Sequence, residues 1–120
     1  FAIYILGLVL RWLIDLGGLA EIGRLNERKA RLIYQVIDQS GGFYRGHAQP
    51  DSRSRMNVPF RLVSEDLEKQ FLNQAQQANL VGLKGHRSVG GLRASLYNAL
   101  PLESAAALAQ FMEEFQRKHG

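Results

Sequence analysis

The sequence contains no cysteine, so neither a disulfide nor a thiolate-bound zinc ion can hold the fold together. Such a composition is compatible with a reducing compartment. His47 and His119 lack partners at metal-ligand spacing and no carboxylate–histidine cluster occurs, which speaks against a metal centre. No Gly-x-Ser-x-Gly elbow accompanies the serines, so serine-nucleophile hydrolysis finds no support. The apolar run from Phe1 to Leu10 is interrupted by Arg11 and Asp15, short of the ~20 residues needed to span a bilayer. No basic segment precedes that run and no small-residue cleavage site follows it, so it makes a poor signal peptide. Charge never collects into a block: 15 Lys and Arg against 11 Asp and Glu give a net charge of +4, with the arginines dispersed. That balance suits small anions, or one part of a larger protein whose remainder is acidic, and chance surface charge explains it equally well. No membrane and no nucleic-acid partner is expected.

What is present is ordinary globular material. The 46% hydrophobic and 22% charged residues argue against disorder, and 120 residues suit a single domain with a modest core. No repeat or long linker divides the chain. Phe1 to Leu16 reads as a buried helix, in which Arg11 and Asp15 at i,i+4 can pair. A helix apolar all round is buried on several sides, and a domain this small has difficulty doing that alone. Residues 1–17 are therefore expected to form an interdomain helix, packed partly against chain preceding Phe1. Gly17 and Gly18 stop it. Leu19, Ile22, Leu25, Ala30, Ile33, Val36 and Ile37 then keep helical spacing as far as Asp38.

Phe43 and Tyr44 suggest a short strand, and His47 to Ser54 a polar loop. Met56, Val58, Phe60 and Leu62 alternate with polar residues and Pro59. The proline predicts an edge strand or a bulge, because it cannot donate to a ladder. Ser64 is a good N-cap for a helix whose inner face is Leu67, Phe71, Ala75 and Ala78. Leu80 to Leu83 reads as a weak strand. In a stronger one, Leu92, Ala94 and Leu96 face one way and Arg93, Ser95 and Tyr97 the other. Pro101 precedes a last helix with Leu108, Phe111, Met112 and Phe115 inside. The expected class is α+β: one domain over 1–120, with a small, mainly antiparallel sheet covered by helices on one face.

The chemistry concentrates in Lys84-Gly85-His86-Arg87-Ser88-Val89-Gly90-Gly91-Leu92-Arg93. Glycines let backbone amides approach an anion closely, and arginine forks match phosphate or carboxylate in bidentate fashion. Arg93 differs from the others because a strand would hold its head group rigidly. The same stretch also fits a solvated hairpin whose arginines are merely its surface. Arg53 and Arg55 flank a strand start and read as a solvated edge. Gly82-Leu83-Lys84-Gly85 matches the G-x-x-G loop by which KH domains clamp single-stranded RNA, but those domains set that loop between two helices.

Longer segments carry a more specific likeness. Ser54-Arg55-Met56-Asn57-Val58-Pro59-Phe60, Leu83-Lys84-Gly85-His86-Arg87, Val89 to Ala99 and Pro101-Leu102-Glu103 together resemble the C-terminal region of the phosphoserine aminotransferase family, within the fold-type-I aminotransferases. The likeness covers essentially the whole chain. It implies a cytoplasmic, homodimeric enzyme using pyridoxal 5'-phosphate. Such an enzyme moves the amino group of glutamate to 3-phosphohydroxypyruvate, yielding O-phosphoserine and 2-oxoglutarate for serine biosynthesis. By position, Arg93 would hold the substrate α-carboxylate, and His86 with Arg87 its phosphate, across the dimer interface. The family's cofactor lysine belongs to an N-terminal cofactor-binding domain. None of Lys29, Lys69, Lys84 and Lys118 matches it, so no catalytic or cofactor-binding residue is assigned and the chain alone is expected to be inactive. The other readings are a stand-alone, non-catalytic domain binding phosphoserine or another small anion, and a KH-like RNA-binding module.

Overall fold

Strict alternation along the central segment decides the architecture. Val58, Phe60 and Leu62 are buried while Arg61 is exposed and Asn57 and Pro59 are half-buried, so one face of the strand seeks a core and the other does not. The computed structural model describes all 120 residues, with the elements α1 (Ala2–Asp15), α2 (Gly18–Gln39), β1 (Tyr44–Gly46), β2 (Asn57–Leu62), α3 (Glu65–Gln77), β3 (Leu92–Ser95) and α4 (Leu102–His119). The strands form one antiparallel sheet in the order β1-β2-β3. Helices α2, α3 and α4 supply the cover for its apolar face, and the class is α+β as expected.

The core between sheet and helices is mainly aliphatic, with a cluster of aromatic rings at its centre. Phe71 of α3 meets Tyr44, Phe60, Phe111 and Phe115, with ring centroids 5.0 to 6.1 Å apart and steep interplanar angles, the edge-to-face geometry that ring quadrupoles favour. Tyr44 donates its hydroxyl to the Met112 carbonyl at 2.8 Å, and burial pushes its pKa up. Ser64 caps α3 by accepting from the Leu67 amide, as its sequence position predicts. Buried Glu68 reaches the Leu62 amide at 3.4 Å.

Pro59 lies in the central strand, which corrects the edge or bulge expectation. Its neighbour across β2–β3 is Arg93, whose own amide turns outward to donate to the Leu83 carbonyl at 2.8 Å. In an antiparallel ladder that makes the Pro59–Arg93 pair non-hydrogen-bonded, so the missing N–H of Pro59 falls on the β1 side. There the ladder is already ending: His47 donates to the Pro59 carbonyl at 3.5 Å, and no return bond is available. Leu80 to Leu83 also departs from expectation. It is not a strand, and a lone Lys84–Leu92 bridge is what remains of the fourth pairing.

Helix α1 forms but has no buried residue: Ile3 is 86% and Trp12 40% exposed. Within these residues α1 leaves the body at an 80° bend to α2, so the burial expected of it is not supplied by this domain. Leu19, placed on the inner face of α2 by its spacing, is 83% exposed just beyond that bend. Arg11 and Asp15 do not form one of the salt bridges. No single helix is long and apolar enough to cross a membrane.

Candidate functional site

The sheet face away from the helices carries the cations. Register sets Arg45 opposite Arg61 and Pro59 opposite Arg93, so three arginines share one uncovered surface. The salt bridges of the chain, Arg24–Glu21, Arg31–Glu27 and Arg53–Asp38, lie elsewhere. Like charges opposite one another on a sheet repel, and no carboxylate is paired with any of these three. Glu65 and Glu68 line the hollow at the Arg45–Arg61 end, whereas the hollow at the Arg93 end has no carboxylate in its lining and is the better placed to receive an anion.

Arg93 is held from both sides. Its backbone sits between Pro59 and Leu83, and its neighbours Leu92 and Ala94 anchor β3 in the core. Its Nε is shielded from solvent yet has no hydrogen-bond partner. An unpaired buried donor is costly, and such a group on a rigid strand is suited to an incoming carboxylate. The side-chain Oδ1 of Asn57 is a second buried atom without a partner on the same face.

The glycine turn that follows the Lys84–Leu92 bridge brings His86 to the same place. Gly85 closes the neck by donating to the Gly91 carbonyl at 2.9 Å, and the His86 carbonyl accepts from Val89 and Gly90 at 3.1 and 2.7 Å. The His86 ring is oriented locally: its Nδ1 accepts from the Ser88 amide at 3.3 Å and lies 2.8 Å from the Ser88 hydroxyl. A backbone N–H can only donate, so this arrangement favours the tautomer with its proton on Nε2, leaving a donor free for an anion. His86 and Arg93 both line a hollow of about 130 Å³, together with His47, Asn57, Pro59 and Val89. Arg87 is exposed on the turn but does not line this hollow. Two of the three residues expected from sequence therefore converge and the third does not.

His47 and Asn57 were not singled out for this hollow by sequence reasoning. Their signal was weak, because it required knowing that His47 follows β1 into a position beside Pro59. Lys29 is another omission. It is 2% exposed on α2, and its ammonium donates to the carbonyls of Tyr97 and Leu100 at 2.8 and 3.0 Å. Burial pushes its pKa down. Asn26 donates to the Asn98 side chain at 2.8 Å, so two polar residues of α2 hold the segment leaving β3. Lys69, Lys84 and Lys118 are exposed.

Arg53 is not the solvated edge it resembled in sequence. It makes a bidentate pair with Asp38 at 2.6 and 2.8 Å and lies over the Tyr34 ring, 4.4 Å from its centroid. The Arg53 guanidinium holds the Asp38 carboxyl below its ordinary value. The hollow there, about 730 Å³, offers an arginine whose charge is already matched. A further hollow of about 480 Å³ lies between the end of α3, β3 and α4 and is lined mainly by aliphatic side chains such as Leu80, Leu83 and Leu108. Neither gathers unpaired cations as the open sheet face does. Gly82 and Gly85 follow α3 and lead into β3, not between two helices as the KH arrangement requires.

Comparison with known proteins gives a consistent result. The family model described as aminotransferase class-V matches residues 1–108. A phosphoserine aminotransferase of Niallia circulans is 59% identical over 120 residues, covering 100% of this chain and 33% of its own length. A solved phosphoserine aminotransferase from Bacillus circulans subsp. alkalophilus aligns with a TM-score of 0.96 at 59% identity, over 100% of this chain and 33% of that one. The PLP-bound phosphoserine aminotransferase from Trichomonas vaginalis aligns with a TM-score of 0.79 at 42% identity, over 86% of this chain and 30% of that one. The chain thus spans about a third of the length of the curated relatives it matches.

Proposed function

The chain belongs to the class-V aminotransferase family, and from that premise we propose that it is the C-terminal domain of a phosphoserine aminotransferase. In this reading it supplies substrate recognition, while a preceding domain supplies the cofactor site. The observation that carries the proposal is the half-buried Arg93 on β3, with an unpartnered Nε and His86 lining the same hollow. Arg93 holds the α-carboxylate of glutamate and of O-phosphoserine through its fork. His86 and Arg87 bind the phosphate of 3-phosphohydroxypyruvate or O-phosphoserine. Arg87 stands outside the Arg93 hollow, which favours its reaching the neighbouring subunit's site in a homodimer.

The residues present do not fit a pyridoxal phosphate site of their own. Lys29 is buried and engaged by two carbonyls, and the other three lysines are exposed and do not line the Arg93 hollow. The cofactor therefore belongs to the preceding domain of the complete enzyme, where it supplies the electron-accepting group for amino transfer. What this chain does is bind, orient and neutralise the substrate's anionic ends. Residues 1–17 are the interdomain helix of this reading, and the exposed apolar side chains of α1 are what a second domain covers. Alone, the domain is expected to self-associate through them. The cytoplasm is the compartment that serine biosynthesis implies.

The test is Arg93→Ala in the complete enzyme. Loss of a bidentate carboxylate contact should lower kcat/KM by about 100-fold or more, with KM raised for both amino-acid substrates. An unchanged KM for glutamate would remove Arg93 from the carboxylate role. The stand-alone alternative makes a different forecast: O-phosphoserine binds the isolated domain, with no turnover on adding cofactor.

A further inference from the structure

We propose that Arg61 is a positioning residue for the anion-binding turn, holding the segment that carries His86 and Arg87; this rests on the substrate reading above. The turn's own hydrogen bonds close its neck and its interior, but they do not tie its far side to the sheet. Arg61 does so. From the open face of β2 its Nη2 donates to the Val89 carbonyl at 3.5 Å, across 28 residues of sequence. That bond is long, and the packing around it says more. A methyl group at Gly91 would stand 2.9 Å from the Phe60 carbonyl oxygen and 3.0 Å from both Cγ and Nε of Arg61, and one at Gly90 would stand 2.6 Å from the Arg61 Nη2. The arginine therefore runs in close contact along the backbone of Gly90 and Gly91, and a side chain at either position would have to displace it. Both glycines also have positive φ, 74° and 67°, so the turn's shape and its contact with Arg61 are set by the same two positions.

The charge of Arg61 is matched by no salt bridge, although Glu65 and Glu68 line the hollow beside it. Arg61 faces Arg45 across the ladder. For the fold alone an uncharged residue would serve better at that place. Beneath a turn that receives a phosphate, the same side chain limits the turn's freedom before binding and adds to the positive field there. Ordering a loop in advance raises affinity by removing an entropic cost of binding.

The experiment uses the complete enzyme, with inorganic phosphate as the titrant and amide hydrogen exchange across Val89–Gly91 as a second readout. Arg61→Ala should weaken phosphate binding by about 5- to 10-fold, the range expected for ordering one or two groups, and should speed exchange in the turn. Arg61→Lys keeps the charge but not the planar side chain that lies along the glycines, so exchange should stay fast and affinity reduced. Phosphate affinity and exchange both unchanged in Arg61→Ala would overturn the proposal. Full recovery of affinity in Arg61→Lys while exchange stays fast would also overturn it, since charge alone would then suffice. Arg87→Ala separates the two ideas. If it leaves phosphate affinity intact, the substrate reading fails, while the exchange rates still decide whether Arg61 holds the turn.

Discussion

The two faces of the three-stranded sheet are built from alternate residues of the same strands, yet they obey opposite rules. On the covered face Val58, Phe60, Leu92 and Ala94 are each no more than 1% exposed. On the open face Arg93 keeps an unpartnered Nε, Asn57 an unpartnered oxygen, and Arg45 confronts Arg61. The first arrangement minimises the free energy of this domain. The second leaves polar groups and like charges uncompensated, which is sensible where a ligand completes the set. One strand can therefore serve folding and recognition at once, because its side-chain period of two separates the jobs.

Opposite-face substitutions should break this division most visibly. Phe60→Ala opens a cavity beneath Tyr44 and Phe71 and is expected to cost about 3–5 kcal/mol. Arg93→Met, one pairing step away on the other face, should leave stability within about 0.5 kcal/mol while abolishing carboxylate binding. Chemical denaturation of both variants checks the contrast, and equal losses would refute the separation of faces. A smaller effect is expected at Lys29. Its replacement by Met would strand the Tyr97 and Leu100 carbonyls and should cost about 2–3 kcal/mol, measurable as a lowered denaturation midpoint. A near-neutral result would mean that water replaces the ammonium there.

The smallest effect concerns the arginine whose charge is matched. Because Arg53 holds the Asp38 carboxyl below its ordinary value, the pair stabilises the fold fully above the unfolded carboxylate pKa. That contribution fades as pH falls through the lowered folded value. Asp38 is half exposed, so solvent screening limits the gain to about 0.5 kcal/mol. Asp38→Asn should therefore be slightly less stable than the parent at pH 7, with the gap closing in acid below about pH 4. A gap that persists unchanged in acid would show that the ion pair is not its source.

Legibility followed the range of the interactions involved. The burial of Leu92, Ala94 and Leu96 against Arg93 and Ser95 could be read from alternation, and the cap at Ser64 from one residue and its acidic followers, since both are local. Pro59 was misjudged because tolerance of a missing N–H depends on where the neighbouring strand ends. Arg53 read as a solvated edge and Lys29 received no structural role; their partners lie 15 residues away in the first case and 68 to 71 in the second. Leu80 to Leu83 has strand composition, yet the chain offers it one bridge, Lys84–Leu92, in place of a full ladder. In the site, Arg93 and the His86–Arg87 turn were visible as residue types around glycine. The convergence of His86 with Arg93, beside His47 and Asn57, was not.

The sequence by itself determined the α+β class, the positions of the helices, the alternation that turns Arg93 away from the core, and the family resemblance. These rest on periodicity, capping and short motifs, all encoded within a few turns of chain. Only the tertiary structure decided that β2 is central, that the open face gathers three arginines outside any salt bridge, and that Arg61 lies along Gly90 and Gly91. Strand order and close approach depend on which distant segments meet, and one strand's pattern is compatible with several partners until the core selects among them.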